Sequence, residues 1–188
     1  MAFADNNMNN SLNYLNLNWK TNSSTLTGPT GSTSVNYDFQ NNLVTTTFDT
    51  NSYSNGTDLS WLRTILHEAA HAYVISISNL PNLTTSERQE LLGDNWLIAY
   101  SNQGHDYIVD TYISSIADIL QEYGNYQNYN LTRQFYEDLA WGGLQNTTAF
   151  GNLSTSTKER ILDNIAIELT GQDTNGNNKT QKGTDAGC

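Results

Sequence analysis

Charge is scarce in this chain, and positive charge most of all. Only 14% of its 188 residues are charged, with 8 Lys and Arg against 19 Asp and Glu, a formal net charge of -11. No basic stretch exists, which excludes the phosphate-backbone binding that clustered Lys and Arg provide, so no nucleic-acid partner is expected. Cysteine is reduced to Cys188, so no internal disulfide can form. No apolar run is long enough to span a bilayer, and Met1 to Asn10 is polar where a secretory signal would be apolar. Asn, Thr and Ser carry solubility in place of charge, which leans towards a secreted or extracellular location. The start at Met-Ala-Phe-Ala-Asp suits a mature form or an excised domain. Proline occurs only at Pro29 and Pro81, and histidine only three times, so both can be placed one by one.

Two of the histidines stand in Thr64-Ile65-Leu66-His67-Glu68-Ala69-Ala70-His71-Ala72-Tyr73, which contains H-E-x-x-H. On an α-helix, residues four apart lie on one face, one turn apart, so two imidazoles at that spacing reach a single ion. The glutamate between them is placed to act as general base on water made acidic by that ion. Thr57 and Asp58 are helix N-cap types following the turn signal Asn55-Gly56. Leu62, Ile65, Leu66, Ala69, Ala72 and Tyr73 then fall near helical period, leaving Arg63, His67, Ala70, His71 and Val74 on the adjoining face. Neither proline nor glycine interrupts 57–80 before Pro81 stops it, so a helix of about five turns is expected. The third histidine, His105, opens another apolar-periodic segment. Catalytic zinc takes three protein ligands and keeps a position for water, and His67, His71 and His105 supply that number with none left over. One zinc ion is therefore the expected cofactor, with Glu68 as the catalytic residue.

The length allows one domain with a sizeable core. Leu15, Leu17 and Trp19 alternate with polar residues, as do Val35, Tyr37 and Phe39, and both read as half-buried strands. Thr27 to Ser34 reads as a loop, Asn41-Asn42 as a turn and Leu43 to Thr50 as a third strand. The expectation is an α+β fold: a small N-terminal antiparallel sheet packed on the H-E-x-x-H helix, followed by a mostly helical C-terminal part. An edge strand beside the metal would pair with extended substrate backbone. Thr84 to Glu87 reads as a helix start, with Gly93 breaking or bending the apolar stripe that continues through Trp96, Leu97 and Ala99. His105 to Gly124 reads as an amphipathic helix. Asn130 reads as the cap of a helix through Trp141 that Gly142-Gly143 ends. Ser154 starts a last helix, so 1–170 is taken as one domain and 171–188 as a flexible tail. Asp173, Asn175 and Asn177 imitate the start of a calcium loop, without its glycine or closing glutamate.

Leu66-His67-Glu68-Ala69-Ala70-His71-Ala72-Tyr73, with the later His105, resembles the SprT-like zincins, in particular small metallopeptidases of that kind in Bacteroidetes. Gly56-Thr57-Asp58-Leu59 and Ala140-Trp141-Gly142-Gly143-Leu144 look like the same group, and the resemblance covers about residues 43–145. It implies a zincin-like fold in which His67, His71 and His105 bind zinc and Glu68 is the base. The chain departs from the family at the third ligand, where His105-Asp106 stands in place of a His-Gly pair, and in a longer gap from His71 to His105. Asp106 and Asp110 therefore stay open as substitute ligands, or as acceptors for the second nitrogen of a ligand histidine.

The expected function is a zinc-dependent metallopeptidase hydrolysing polypeptide substrates. An acidic cleft would favour basic or neutral substrates. Tyr73, Tyr107 and Tyr112 are oxyanion donors by residue type only. Two alternatives are a secreted zinc amidase acting on cell-wall or other amides, and a non-catalytic binding module of the same fold. The glutamate between the histidines argues against the second, since a structural metal site needs no base.

Overall fold

The computed structural model describes residues 16–22, 30–34, 36–93 and 104–187. Its elements in chain order are β1 (Asn16–Asn22), β2 (Gly31–Thr33), β3 (Leu43–Asp49), a 3-10 turn (Thr50–Tyr53), α1 (Asp58–Asn79), α2 (Thr85–Leu92), α3 (Gly104–Tyr126), α4 (Arg133–Ala140), α5 (Thr148–Gly151) and α6 (Thr155–Thr170). The protein is thus mixed α and β, with a three-stranded sheet ahead of a helical remainder.

The sheet is not the expected antiparallel meander. Its order is β1-β3-β2, with β1 parallel to β3 from Asn16↔Leu43 to Asn22↔Asp49 and β2 antiparallel to β3 at Gly31↔Phe48 through Thr33↔Thr46. The second strand also sits earlier than the alternation of 35–39 implies. Asp38 Oδ1 accepts the amides of Gln40 and Asn41, and Asn42 adopts φ 49, so 38–43 closes as a tight turn with one bridge, Asp38↔Leu43. Tyr37 is buried and Phe39 exposed, their rings packing edge to face at 5.0 Å. The strand forms instead where Gly31 lets backbone approach α1: a Cβ there would lie 2.9 Å from Glu68 Cγ and 3.0 Å from Thr64 Cγ2.

α1 lies between the sheet and the other helices. Its start is fixed by Thr57, whose side chain accepts the Ser60 amide, and it ends at Leu80, before Pro81. On the sheet side, Ala72 and Ile75 pack with Tyr37 and Val44. On the other, Leu59 and Ile77 join Ile108 and Leu120 of α3 and Leu139 of α4 in the main core. The stripe read as apolar is only partly buried at Leu62, Leu66 and Tyr73, whereas Ser60, Arg63, Thr64, His67 and Glu68 are all sealed. α2 opens with the capping box formed by Thr84 and Glu87 and stops at Gly93, φ 79. The residues read as continuing its stripe, Trp96, Leu97 and Ala99, lie outside the described residues. α4 is capped by Thr132 rather than Asn130, which adopts φ 49, a left-handed conformation no N-cap uses.

Residues 171–187, whose composition reads as a flexible tail, run back to the N-terminus of α1. The Asp58 amide donates to Thr184 O at 2.8 Å and the Ala186 amide to Gly56 O at 3.0 Å. Glu168, fully buried in α6, gathers the segment: Thr57 Oγ1 and the Gly183 amide donate to its Oε2 at 2.7 and 3.0 Å, and the Lys182 amide to its Oε1 at 2.7 Å. The calcium-like stretch is an Asx turn. Asp173 accepts the Asn175 and Asn177 amides and pairs with Lys179 at 3.4 Å, a cation where a calcium loop would need another acceptor.

Glu168→Ala would strand three donors beside the start of α1. We expect a loss of roughly 2–4 kcal/mol, read from urea denaturation, together with faster proteolysis within 172–187. Unchanged stability and protection would show that this carboxylate does not hold the segment.

Candidate metal centre

His67 and His71 stand one turn apart on α1, and the first turn of α3 brings His105 to meet them. His71 Nε2 is 3.1 Å from His67 Nε2 and 3.1 Å from His105 Nε2. All three nitrogens lie within 4.8 Å of one another, and accessibility rises from His67 through His71 to His105. Ligands about 2.0–2.1 Å from an ion at tetrahedral angles would stand roughly 3.3 Å apart, so the spacing suits one small cation. Hydrogen bonding alone does not account for it. A neutral imidazole nitrogen carries either one hydrogen or one lone pair, so His71 Nε2 cannot form two good N–H···N bonds at once. Three imidazole nitrogens this close could geometrically hold one cation between them.

Electrostatics prepares the same state. Burial holds His67 well below the usual imidazole range, with the His71 and Arg63 charges adding to the depression. His71 is pushed down to about 4, again mainly by burial, and His105 is lowered too, with Asp106 opposing. All three are therefore neutral at pH 7, the protonation state a metal ligand needs.

Glu68 is 5% exposed, and burial raises its carboxyl above the ordinary carboxylate range. Thr33 Oγ1 donates to its Oε2 at 2.7 Å, which, with the Arg63 charge, opposes that rise. The four predicted site residues therefore come together. They line a cleft of about 520 Å³ with β2 along one side and Gly143 and Gln145 from the segment after α4 along another.

The substitute ligands do not join them. Asp106 Oδ1 accepts the Thr148 amide at 2.8 Å, at the start of α5, and Asp110 is exposed and outside the cluster. Neither bonds a ligand histidine; His67 Nδ1 is buried with no hydrogen-bond partner among the described residues. Nor do the tyrosines line the cleft. Tyr107 donates to Leu92 O at 2.6 Å, and Tyr73 and Tyr107 both pack against Tyr112 in the core. Among the described residues, the cleft is not acidic either: Glu68 and Arg63 are its only charged lining residues, one of each sign.

Four contributors escaped the sequence reading. Thr33 lay in a stretch read as loop, and Gly31 beside it looked like turn chemistry. Gly142 and Gly143 were read as helix terminators and as part of the segment that resembles the family, yet they also close over the site. A Cβ at Gly143, which has φ +85, would lie 2.9 Å from the His67 ring, and one at Gly142 would lie 2.5 Å from Arg63 Nε. Arg63 itself carried a visible signal, a cation four residues before His67 on a helix with few charges.

No protein-family description, curated protein or solved structure matches the chain.

The depressed histidines set a pH dependence for the metal-free protein. The unfolded chain takes up these protons near pH 6.5 while the folded one resists to about pH 4 at His71. The unfolded state then binds more protons across that window, so stability falls as pH drops through it and is level above it. The His71 share is on the order of 3 kcal/mol. Denaturation in a chelator at pH 7 and pH 5 should read about 2 kcal/mol of it, the rest being lost as pH approaches and passes below 4; equal stabilities would contradict neutral folded-state histidines. A second substitution probes the roof. Gly143→Ala combines left-handed strain with a clash on His67, and should weaken metal affinity by about 10-fold or more in competition with a chromogenic chelator.

Proposed function

We propose that the protein is a zinc-dependent metallopeptidase. The observation that carries this is the double approach of His71 Nε2 to two other imidazole nitrogens at 3.1 Å, which neutral histidines do not satisfy among themselves. Three nitrogen donors with one side open to a cleft suit zinc in a catalytic rather than a structural role. Such an ion supplies, when bound, Lewis-acid polarisation of a carbonyl and a water acidic enough to lose its proton near neutral pH.

The remaining work falls to the chain's own groups. His67, His71 and His105 hold the ion as neutral ligands. Glu68 accepts a proton on its carboxylate and returns it to the leaving amine, and a raised carboxyl pKa suits both halves of that task. The Thr33 hydroxyl holds Oε2. Burial of the glutamate and of His67 keeps bulk water away from the proton being moved. A polypeptide substrate is favoured by β2, which lines the cleft and, among the described residues, pairs only with β3. Its other edge offers backbone groups to an extended peptide. The zincin-like and SprT-like assignment belongs to this same proposal.

Purified protein should carry close to one zinc per chain, and His71→Ala should lose most of it. Glu68→Gln should keep the metal and cleave casein about 10²–10⁴-fold more slowly. Full casein cleavage by Glu68→Gln, or zinc content indifferent to His71, would overturn the assignment.

A further inference from the structure

Arg63 is the charged group of the cleft that metal binding and proton transfer leave without a task. It lies one helical turn before His67 and two before His71, so all three side chains share a face of α1. It is 6% exposed and lines the same cleft. A guanidinium keeps its charge and carries five N–H donors in a planar fork. Yet among the described residues Arg63 donates no hydrogen bond and has no carboxylate within ion-pair distance, whereas Arg133, Arg160 and Lys179 are all paired. Glu68 is the acid whose charge it feels, but the Oε2 of that acid is already held by Thr33. A buried cation lacking a partner is costly, and costs of this kind persist where a ligand supplies the missing anion.

The surroundings hold this side chain for such a use. Gly142 lies against Nε, Cδ and Cζ so closely that any Cβ would displace the guanidinium, which leaves it little freedom to swing away. Among the described residues Glu68 is the only negative lining group, and a divalent ion on three imidazoles would leave the cleft net positive. That charge balance selects for anions.

We propose that Arg63 binds a carboxylate of the substrate, so that the enzyme prefers peptides carrying one beside the scissile bond. A planar guanidinium fork matches a carboxylate edge to edge. The carboxylate is either the free C-terminus of the peptide or an acidic side chain. This inference rests on the peptidase reading above.

The test uses zinc-loaded Glu68→Gln, which binds without turning over, titrated calorimetrically with three probes: N-acetyl-trialanine as the free acid, its C-terminal amide, and N-acetyl-Ala-Glu-Ala amide. One carboxylate-bearing probe should bind at least about 10-fold more tightly than the neutral amide. Preference for the free acid assigns the C-terminal carboxylate, and preference for the glutamate peptide assigns an acidic side chain. The preference should vanish when Arg63→Met is added and partly return with Arg63→Lys. Equal binding of all three probes, or a preference that survives Arg63→Met, overturns the proposal. So does slower casein cleavage by Arg63→Met alone with acid-over-amide discrimination intact, which would make Arg63 a donor to the developing oxyanion. Comparing probes on the Arg63-containing protein needs no fold-sensitive variant. Zinc content, measured alongside, separates the two readings. A chain that takes up no zinc fails the metallopeptidase proposal, while titration of that metal-free protein still reads the carboxylate preference.

Discussion

Three imidazole nitrogens crowded around one point form the constraint on which this architecture turns. Their mutual approach is unfavourable without a cation, so the scaffold must impose it. The 22-residue α1 fixes two rings by its own repeat, while the first turn of α3 contributes the third from a separate helix. Packing of α1 against α3 through Ile77, Ile108 and Leu120 then sets how far apart those two contributions sit. A cavity in that core would misplace His105 before it exposed it, because interiors close-packed to this degree transmit displacement rather than absorb it.

A polar face of α1 is buried along with its apolar core residues. Ser60, Arg63, Thr64, His67 and Glu68 are all buried, while Leu62, Leu66 and Tyr73 on the neighbouring stripe remain half-open. A helix buried this way gains less from water exclusion than its composition allows and carries desolvated titratable groups instead. Their perturbed protonation follows directly: imidazoles are kept neutral and a carboxyl is raised by one common cause, removal from water. Sites that trade stability for prepared chemistry have this character. Three glycines make the sealing possible, since Gly31, Gly142 and Gly143 bring backbone against Glu68, Arg63 and His67 where a methyl group would not fit.

Local signals were legible in the chain and long-range ones were not. The bounds of α1 could be read from Thr57 and Pro81, α2 from Thr84 and Glu87, and the last helix from Ser154, because caps are short-range chemistry. The histidine triad could be assembled by counting, since the chain has only three. Strand pairing could not be read that way. Parallel pairing of β1 with β3 is decided by a crossover of some twenty residues, and nothing in the alternation of Leu17 and Trp19 encodes direction. The roles of Thr33 and Gly142 were hidden for a related reason: each acts on a residue more than thirty positions away, and each doubles as ordinary loop or helix-end chemistry. Burial likewise reversed the expected face of α1, because period identifies a stripe but not which neighbour covers it.

The return of residues 182–186 to the start of α1 has a bearing on how the protein is made. Thr184 bonds Asp58 across 126 positions. At translation rates of about 5–20 residues per second, the ribosome delivers that segment roughly 6–25 s after the helix it closes. During that interval Thr57 caps the helix that carries His67 and His71 without the returning segment. A nascent chain can therefore present His67 and His71 to solvent before Glu168 and the returning segment lock the helix end.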